Sequence, residues 1–254
     1  MKLTIDPNLY TQIGLDSGSL TMLGSIVHSL ATPGEYRVAL HHGETVEGVC
    51  FITADQNSPV AQVTVDLAAV AAGNAAPAVA VPGTTASGGQ DCCCKGGGPG
   101  SEGGPHFTVN PRGYVLFTVS GGGGGYYVHV RRINADQQDK GYDSRVLGEG
   151  DLFTAVILRP GSYTVHNSLT KAAGRIVVPY PKPGPKAYVA PGPVRVICGP
   201  KTLEPASVEA HPGQGVVFEA KASTRIAIKL EKADDGPNAQ KSSARPGWTR
   251  TAMK

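Results

Sequence analysis

The chain reads as an all-β protein built from two to three small antiparallel β-sandwich modules joined by Gly-rich and Pro-rich linkers. Three observations predict this. A turn-and-strand passage occurs twice, as Asn110-Pro-Arg-Gly-Tyr-Val-Leu-Phe-Thr and as His211-Pro-Gly-Gln-Gly-Val-Val-Phe-Glu. After each copy comes a second strand-like stretch, Tyr127-Val-His-Val-Arg and Arg225-Ile-Ala-Ile-Lys, closed by Ala135-Asp136 and Ala233-Asp234. Self-similarity of this kind marks repeated supersecondary units. Elsewhere short runs alternate apolar and polar residues with period two, and the 34 Gly and 20 Pro of the 254 residues gather at turns and in two segments.

The elements follow in order. Tyr36, Val38 and Leu40 alternate with Arg37, Ala39 and His41, the pattern of a half-buried strand. Val49-Cys-Phe-Ile-Thr is nearly continuous in apolar residues and is expected to be covered on both faces. Val63, Val65 and Leu67 alternate with Gln62, Thr64 and Asp66. Residues 18–30 fit a short helix or a strand. Further strands are expected at 107–109, 114–119, 126–132, 153–158, 162–166 and 175–178, with a polar loop over 134–150. The last set is 194–198, 207–210, 216–220 and 225–230. In it Ile226, Ile228 and Leu230 face one way and Arg225, Ala227 and Lys229 the other. Gly121 to Gly125 is a five-glycine hairpin tip, or a point of close backbone approach.

Two segments interrupt the pattern. Pro82-Gly-Thr-Thr-Ala-Ser-Gly-Gly, the triplet Cys92-Cys93-Cys94 and the Gly-rich run to Pro105 cannot build a core and read as a linker. Residues 179–193 hold six prolines, which suits a stiff extended strut. The expected organisation is a β domain over 1–75, a Gly/Cys-rich linker over 76–105, a sandwich over 106–180, a Pro-rich strut over 181–193, a β unit over 194–235 and a basic tail over 236–254. The last unit has too few strands for its own core and must complete it against a neighbour.

A shorter repeat, Pro33-Gly-Glu-Tyr-Arg-Val and Pro160-Gly-Ser-Tyr-Thr-Val, shares the pattern Pro-Gly-x-Tyr-x-Val. With Val109-Asn-Pro-Arg-Gly-Tyr-Val-Leu-Phe, Phe153 and Gly174-Arg-Ile-Val-Val, it makes residues 106–180 resemble a cupredoxin-like sandwich, and the same motifs suit immunoglobulin-like sandwiches. Residues 201–218 resemble the opening of the same fold. The resemblance implies a Greek-key sandwich with the Tyr packed over the core. Its copper chemistry does not carry over. A blue-copper site needs two imidazoles and a thiolate, and the strand holding Val165, His166 and Asn167 has no Cys.

Function is less legible than architecture. The net charge of +3 is too small to imply a polyanion partner, although the tail after Gly236 carries +4 and leaves −1 for the rest. The N-terminus shows no apolar secretory run, which predicts a cytoplasmic protein with reduced cysteines. No phosphate loop, dinucleotide fingerprint, nucleophile elbow or calcium loop is present. The expectation is a non-catalytic structural or assembly protein without a cofactor. Its partner would be itself or a larger protein assembly, not a membrane, a nucleic acid or a small-molecule substrate. The alternative is copper or zinc handling by Cys92, Cys93 and Cys94, or by the sandwich histidines His129 and His166, with His129 facing His166. Lys241, Arg245, Trp248 and Arg250 are the interaction candidates of the tail. Cys50 and Cys198 sit in apolar strands and read as small core residues.

Overall fold

The structure, a computed structural model, describes residues 13–74, 103–134, 141–181 and 188–234. It is mostly strand. In the first half of the chain these are β1 (Gly14–Asp16), β2 (Gly24–His28), β3 (Gly34–His42), β4 (Thr45–Ala54), β5 (Gln62–Asp66), β6 (His106–Val109), β7 (Tyr114–Thr118) and β8 (Tyr126–Arg132). The second half holds β9 (Tyr142–Asp143), β10 (Leu152–Val156), β11 (Gly161–Asn167), β12 (Ala173–Val178), β13 (Val194–Cys198), β14 (Leu203–Glu204), β15 (Ser207–Glu209), β16 (Gly215–Ala220) and β17 (Ile226–Ala233). One helix, α1 (Leu67–Ala71), follows β5. Asp66 caps it by accepting from the Ala68 amide at 3.1 Å, and Leu67 and Val70 are buried. The unsettled stretch 18–30 therefore contains a strand, and residues 67–71, near the end of the β domain expected over 1–75, form one helical turn.

The strands form a seven-stranded sheet of order β14-β13-β16-β10-β2-β7-β5 and two five-stranded sheets, β1-β17-β11-β12-β15 and β6-β4-β3-β8-β9. The arrangement has an internal two-fold. Gly14 maps to Gly141 and Val38 to Val165, a constant shift of 127 residues. β3 pairs antiparallel with β4 and β8, as β11 does with β12 and β17. The parallel pairs β4–β6 and β5–β7 have their mates in β12–β15 and β13–β16. At the centre β2 and β10 run antiparallel with Ile26 opposite Phe153. Those two residues are themselves mates, so the pseudo-axis passes through that pair. This is the geometry of an isologous dimer interface held within one chain.

The two halves exchange their first strands. β1 pairs with β17 of the second half, and β9 pairs with β8 of the first. The exchanged segments share the motif Gly-x-Asp-Ser-x-x-Leu, as Gly14-Leu-Asp-Ser-Gly-Ser-Leu20 and Gly141-Tyr-Asp-Ser-Arg-Val-Leu147. Their serines are fully buried and make the same bonds. The Ser17 hydroxyl accepts from the Ile226 amide at 2.9 Å, and the Ser144 hydroxyl accepts from the Val128 amide at 2.9 Å.

Strand pairing departs from the divisions expected at 75, 105, 180 and 193. Strands β6 to β8 complete the sheets begun by β2 to β5, and β13 to β17 complete those begun by β10 to β12. The physical reason lies in the parallel pairs, which need long crossover connections. The Gly/Cys-rich and Pro-rich segments are connections inside a half, although their composition looks like domain punctuation. Residues 75–102 and 182–187 of those two segments lie outside the described residues.

The sheets feed one contiguous buried cluster, with Phe117, Phe153 and Phe218 among its largest members. Both Pro-Gly-x-Tyr-x-Val tyrosines are buried. The Tyr36 hydroxyl donates to the Thr32 carbonyl and the Tyr163 hydroxyl to the Arg159 carbonyl, each at 2.6 Å. The preceding Gly34 (φ +147°) and Gly161 (φ +152°) turn the chain where a side chain has no room: a Cβ on Gly161 would lie 2.5 Å from the Lys232 carbonyl oxygen. The last two of the five consecutive glycines serve close approach, since a Cβ on Gly124 would lie 2.8 Å from the Thr21 Cα; the first three face open space. Strand β4 is covered on one face only. Its Phe51 is half-buried and stacks on His106 at 4.8 Å between ring centroids.

Candidate functional site

The pseudo-axis generates two mate clefts, each at the end of a central strand beside an exchanged strand. The one among Leu15, Leu23, Ile157, Leu158 and Tyr163 is nearly filled, with about 20 Å³ of free space. Its mate, among His28, Ala31, Arg132, Tyr142, Glu149 and Asp151, has about 610 Å³. The difference lies in the side chains. Leu158 maps to Ala31, Arg159 to Thr32 and Leu23 to Gly150. Leu23 holds a left-handed φ of 55° where its mate Gly150 has 90°. A leucine tolerates that conformation poorly, whereas glycine tolerates it freely.

The open cleft also gains a polar cluster with no counterpart. Asp151 is buried and accepts from the Gly148 amide at 2.7 Å and from His28 Nδ1 at 2.7 Å. His28 stacks on Tyr142 with ring centroids 3.7 Å apart. The Tyr142 hydroxyl is buried and has no hydrogen-bond partner. Burial first, then the nearby Asp151 and Asp143 carboxylates, push its phenol well above the ordinary tyrosine range. The mates of His28, Tyr142 and Asp151 are Ala155, Leu15 and Gly24.

Comparison with protein-family models, curated proteins and solved structures finds no match. The site is therefore read from its own geometry.

A second cluster lies on the outer face of β3 and β8. His41 stacks on Tyr127 at 4.9 Å and meets His129 at 4.5 Å, while the Arg145 guanidinium sits 4.3 Å above the Tyr127 ring. Asp143 pairs with Arg145 at 2.8 Å and with His129 Nε2 at 3.1 Å. Burial works to raise the Asp143 carboxyl, but the hydrogen bonds from Arg145 outweigh it and hold the group below its ordinary value. In the other half Asp16 takes its arginine from a different place, Arg225 at 2.8 Å. Space explains the exchange. Gly18 occupies the position of Arg145, and a Cβ there would lie 2.4 Å from Arg225 Nε.

The third feature is the outer face of the seven-stranded sheet. Its inward residues, Ile26, Phe117, Phe153 and Phe218 among them, are buried, and the residues alternating with them are not, except Glu219. Val27, Leu116, Leu152 and Val217 are half-buried, and Tyr114 and Ile197 are exposed. A shallow cleft of about 640 Å³ runs over this face, across the pseudo-axis. At one end Glu219 pairs with Arg195 and with Lys221, the latter at 2.6 Å. The Lys221 bond first, then Arg195, hold the Glu219 carboxyl below its ordinary value.

The residues singled out in the sequence are scattered. His129 joins the cluster around Tyr127. His166 is exposed on β11, between Ala173 and Ala227. The two histidines belong to different sheets, so the expected facing pair does not form. Among the described residues no group of three or more His, Cys, Asp or Glu side chains is arranged to hold a metal ion. Cys92, Cys93 and Cys94, and Lys241, Arg245, Trp248 and Arg250, lie outside the described residues. Cys50 and Cys198 are buried thiols, and burial pushes both pKa values up to about 12. Among the described residues no helix is long and apolar enough to cross a membrane. Sequence reasoning missed His28, Tyr142 and Asp151. The one available signal was the repeated Gly-x-Asp-Ser-x-x-Leu motif, which relates the two halves and marks Tyr142 as a substitution for Leu15.

Proposed function

We propose that this chain is a non-catalytic assembly protein whose two halves are β-sandwich modules, fused about an internal two-fold, that attach to copies of the same chain or to a larger protein complex. The observation that carries this reading is the outer face of the seven-stranded sheet, which no other described sheet or helix covers. That face is continuous across the pseudo-axis and presents Val27, Leu116, Leu152 and Val217 half-buried beside exposed Tyr114 and Ile197. Apolar side chains contiguous on a broad, flat sheet face suit a protein contact. The cupredoxin-like and immunoglobulin-like resemblance agrees with modules used as scaffolding. The Gly-rich and Pro-rich segments act as tethers between strands.

Light scattering coupled to size-exclusion chromatography tests the reading. The chain, alone or with its native partners, is expected to run as an assembly. Leu152→Glu combined with Val217→Lys is expected to dissociate it while leaving the circular dichroism spectrum unchanged. A monomer at high concentration that gains no mass beside those partners overturns the proposal.

A further inference from the structure

We infer that the open cleft between the halves is a binding pocket for a small carboxylate with an apolar body. The inference is independent of the assembly reading and starts from the mate clefts. One scaffold presents the same cavity twice, and in one copy the protein's own leucines fill it. In the other copy Ala31 stands at the position of Leu158, and about 610 Å³ is left open. That volume lies within the range of ordinary small-molecule pockets. The chain keeps this one open and places at it the only Asp–His pair with a buried carboxylate among the described residues.

The lining selects the ligand. Asp151 is fully engaged by His28 and by the Gly148 amide. Asp143 is engaged by Arg145 and His129. Two donors remain. The Tyr142 hydroxyl is buried without a partner. His28 donates from Nδ1 to Asp151, which leaves its Nε2 as an acceptor. Arg132, exposed at the rim, meets no carboxylate among the described residues. Its mate is Leu230. A guanidinium and a phenol together suit one carboxylate group. Leu30, Val130 and the Tyr36 ring supply the apolar wall. Glu149, exposed at the rim, disfavours a second negative charge on the ligand.

The experiment titrates the full chain with benzoate, benzamide and benzylamine, followed by two-dimensional amide NMR. Benzoate is expected to shift the amides of 28–32 and 141–151 saturably, and the two other probes to bind more weakly. Arg132→Gln, at an exposed site that the fold does not need, is expected to weaken benzoate by about tenfold. Ala31→Leu, which copies the plug of the mate cleft, is expected to abolish the shifts. Equal or tighter binding of benzylamine overturns the carboxylate assignment. Shifts outside the cleft, or no saturable shift with any of the three probes, overturns the pocket.

Discussion

The two halves of the chain share strand order, register, exchanged first strands and the buried tyrosine of Pro-Gly-x-Tyr-x-Val, yet they differ where the two clefts lie. Around the filled cleft the lining includes Leu15, Leu158 and Arg159. Around the open one the same positions hold Tyr142, Ala31 and Thr32. The backbone turns the same way in both, down to the left-handed residue at Leu23 and Gly150. Topology therefore fixes where a cavity can be, and a handful of side chains decides whether it is core or site. The asymmetry extends to the outer face, where Asp143 keeps Arg145 and His129 while Asp16 keeps Arg225 alone.

The sharpest way to break the comparison is at the axis. Phe153 is fully buried and faces Ile26 across it. Phe153→Ala is expected to cost ~3–5 kcal/mol. Calorimetry is expected to show one transition at a lower temperature, because the central sheet joins both halves. Two resolved transitions would mean that the halves melt separately and that the shared sheet is not a cooperative unit. Next in size are the exchanged serines. Ser17→Ala and Ser144→Ala each strand a buried amide, at Ile226 and Val128 respectively, and each is expected to cost ~1–3 kcal/mol in urea unfolding. The double variant is expected to show their sum, since the two sites share no partner. If one of them is silent, the exchange is held from one side only.

The smallest effect concerns His41. Burial first, then His129 and Arg145, hold its imidazole below the ordinary histidine value. The folded state therefore resists protonating it. The stabilisation is present above the unfolded value of about 6.5 and is lost as pH falls from there through the lower folded value. His41→Ser, which copies the mate residue Ser168, is expected to flatten the urea midpoint between about pH 7 and about pH 5. An unchanged slope would place the titration elsewhere.

Most strands were legible because each is long enough to show period two, as with Tyr36-Val38-Leu40 and Ile226-Ile228. Strands β1 and β9 were not, since two or three residues carry no period. Their shared motif was readable, but neither copy pairs with a neighbour in sequence, so its meaning lay in the fold. Strand pairing crosses the expected divisions for a related reason. Local composition near Cys92 and Pro181 speaks of tethers, while the partners of β6 and β13 are set by parallel pairing across them. The cleft was illegible because His28 and Asp151 are 123 residues apart. Neither residue type, taken singly, signals a pair. His129, a metal-ligand candidate in the sequence, has its neighbours on β3 and β9, not at His166.

The exchanged first strands carry a consequence for synthesis. Residues 14–16 are translated before every other described strand, and their sheet partner, β17, after every other described strand. The amino-terminal half can close as soon as Tyr142 and Asp143 emerge, whereas the carboxy-terminal half must wait for β17 and then recruit a segment made more than two hundred residues earlier. Nascent molecules are thus latched from the middle outward. A ribosome stalled short of residue 226 would leave a completed front half still offering an unclaimed edge to whatever lies nearby.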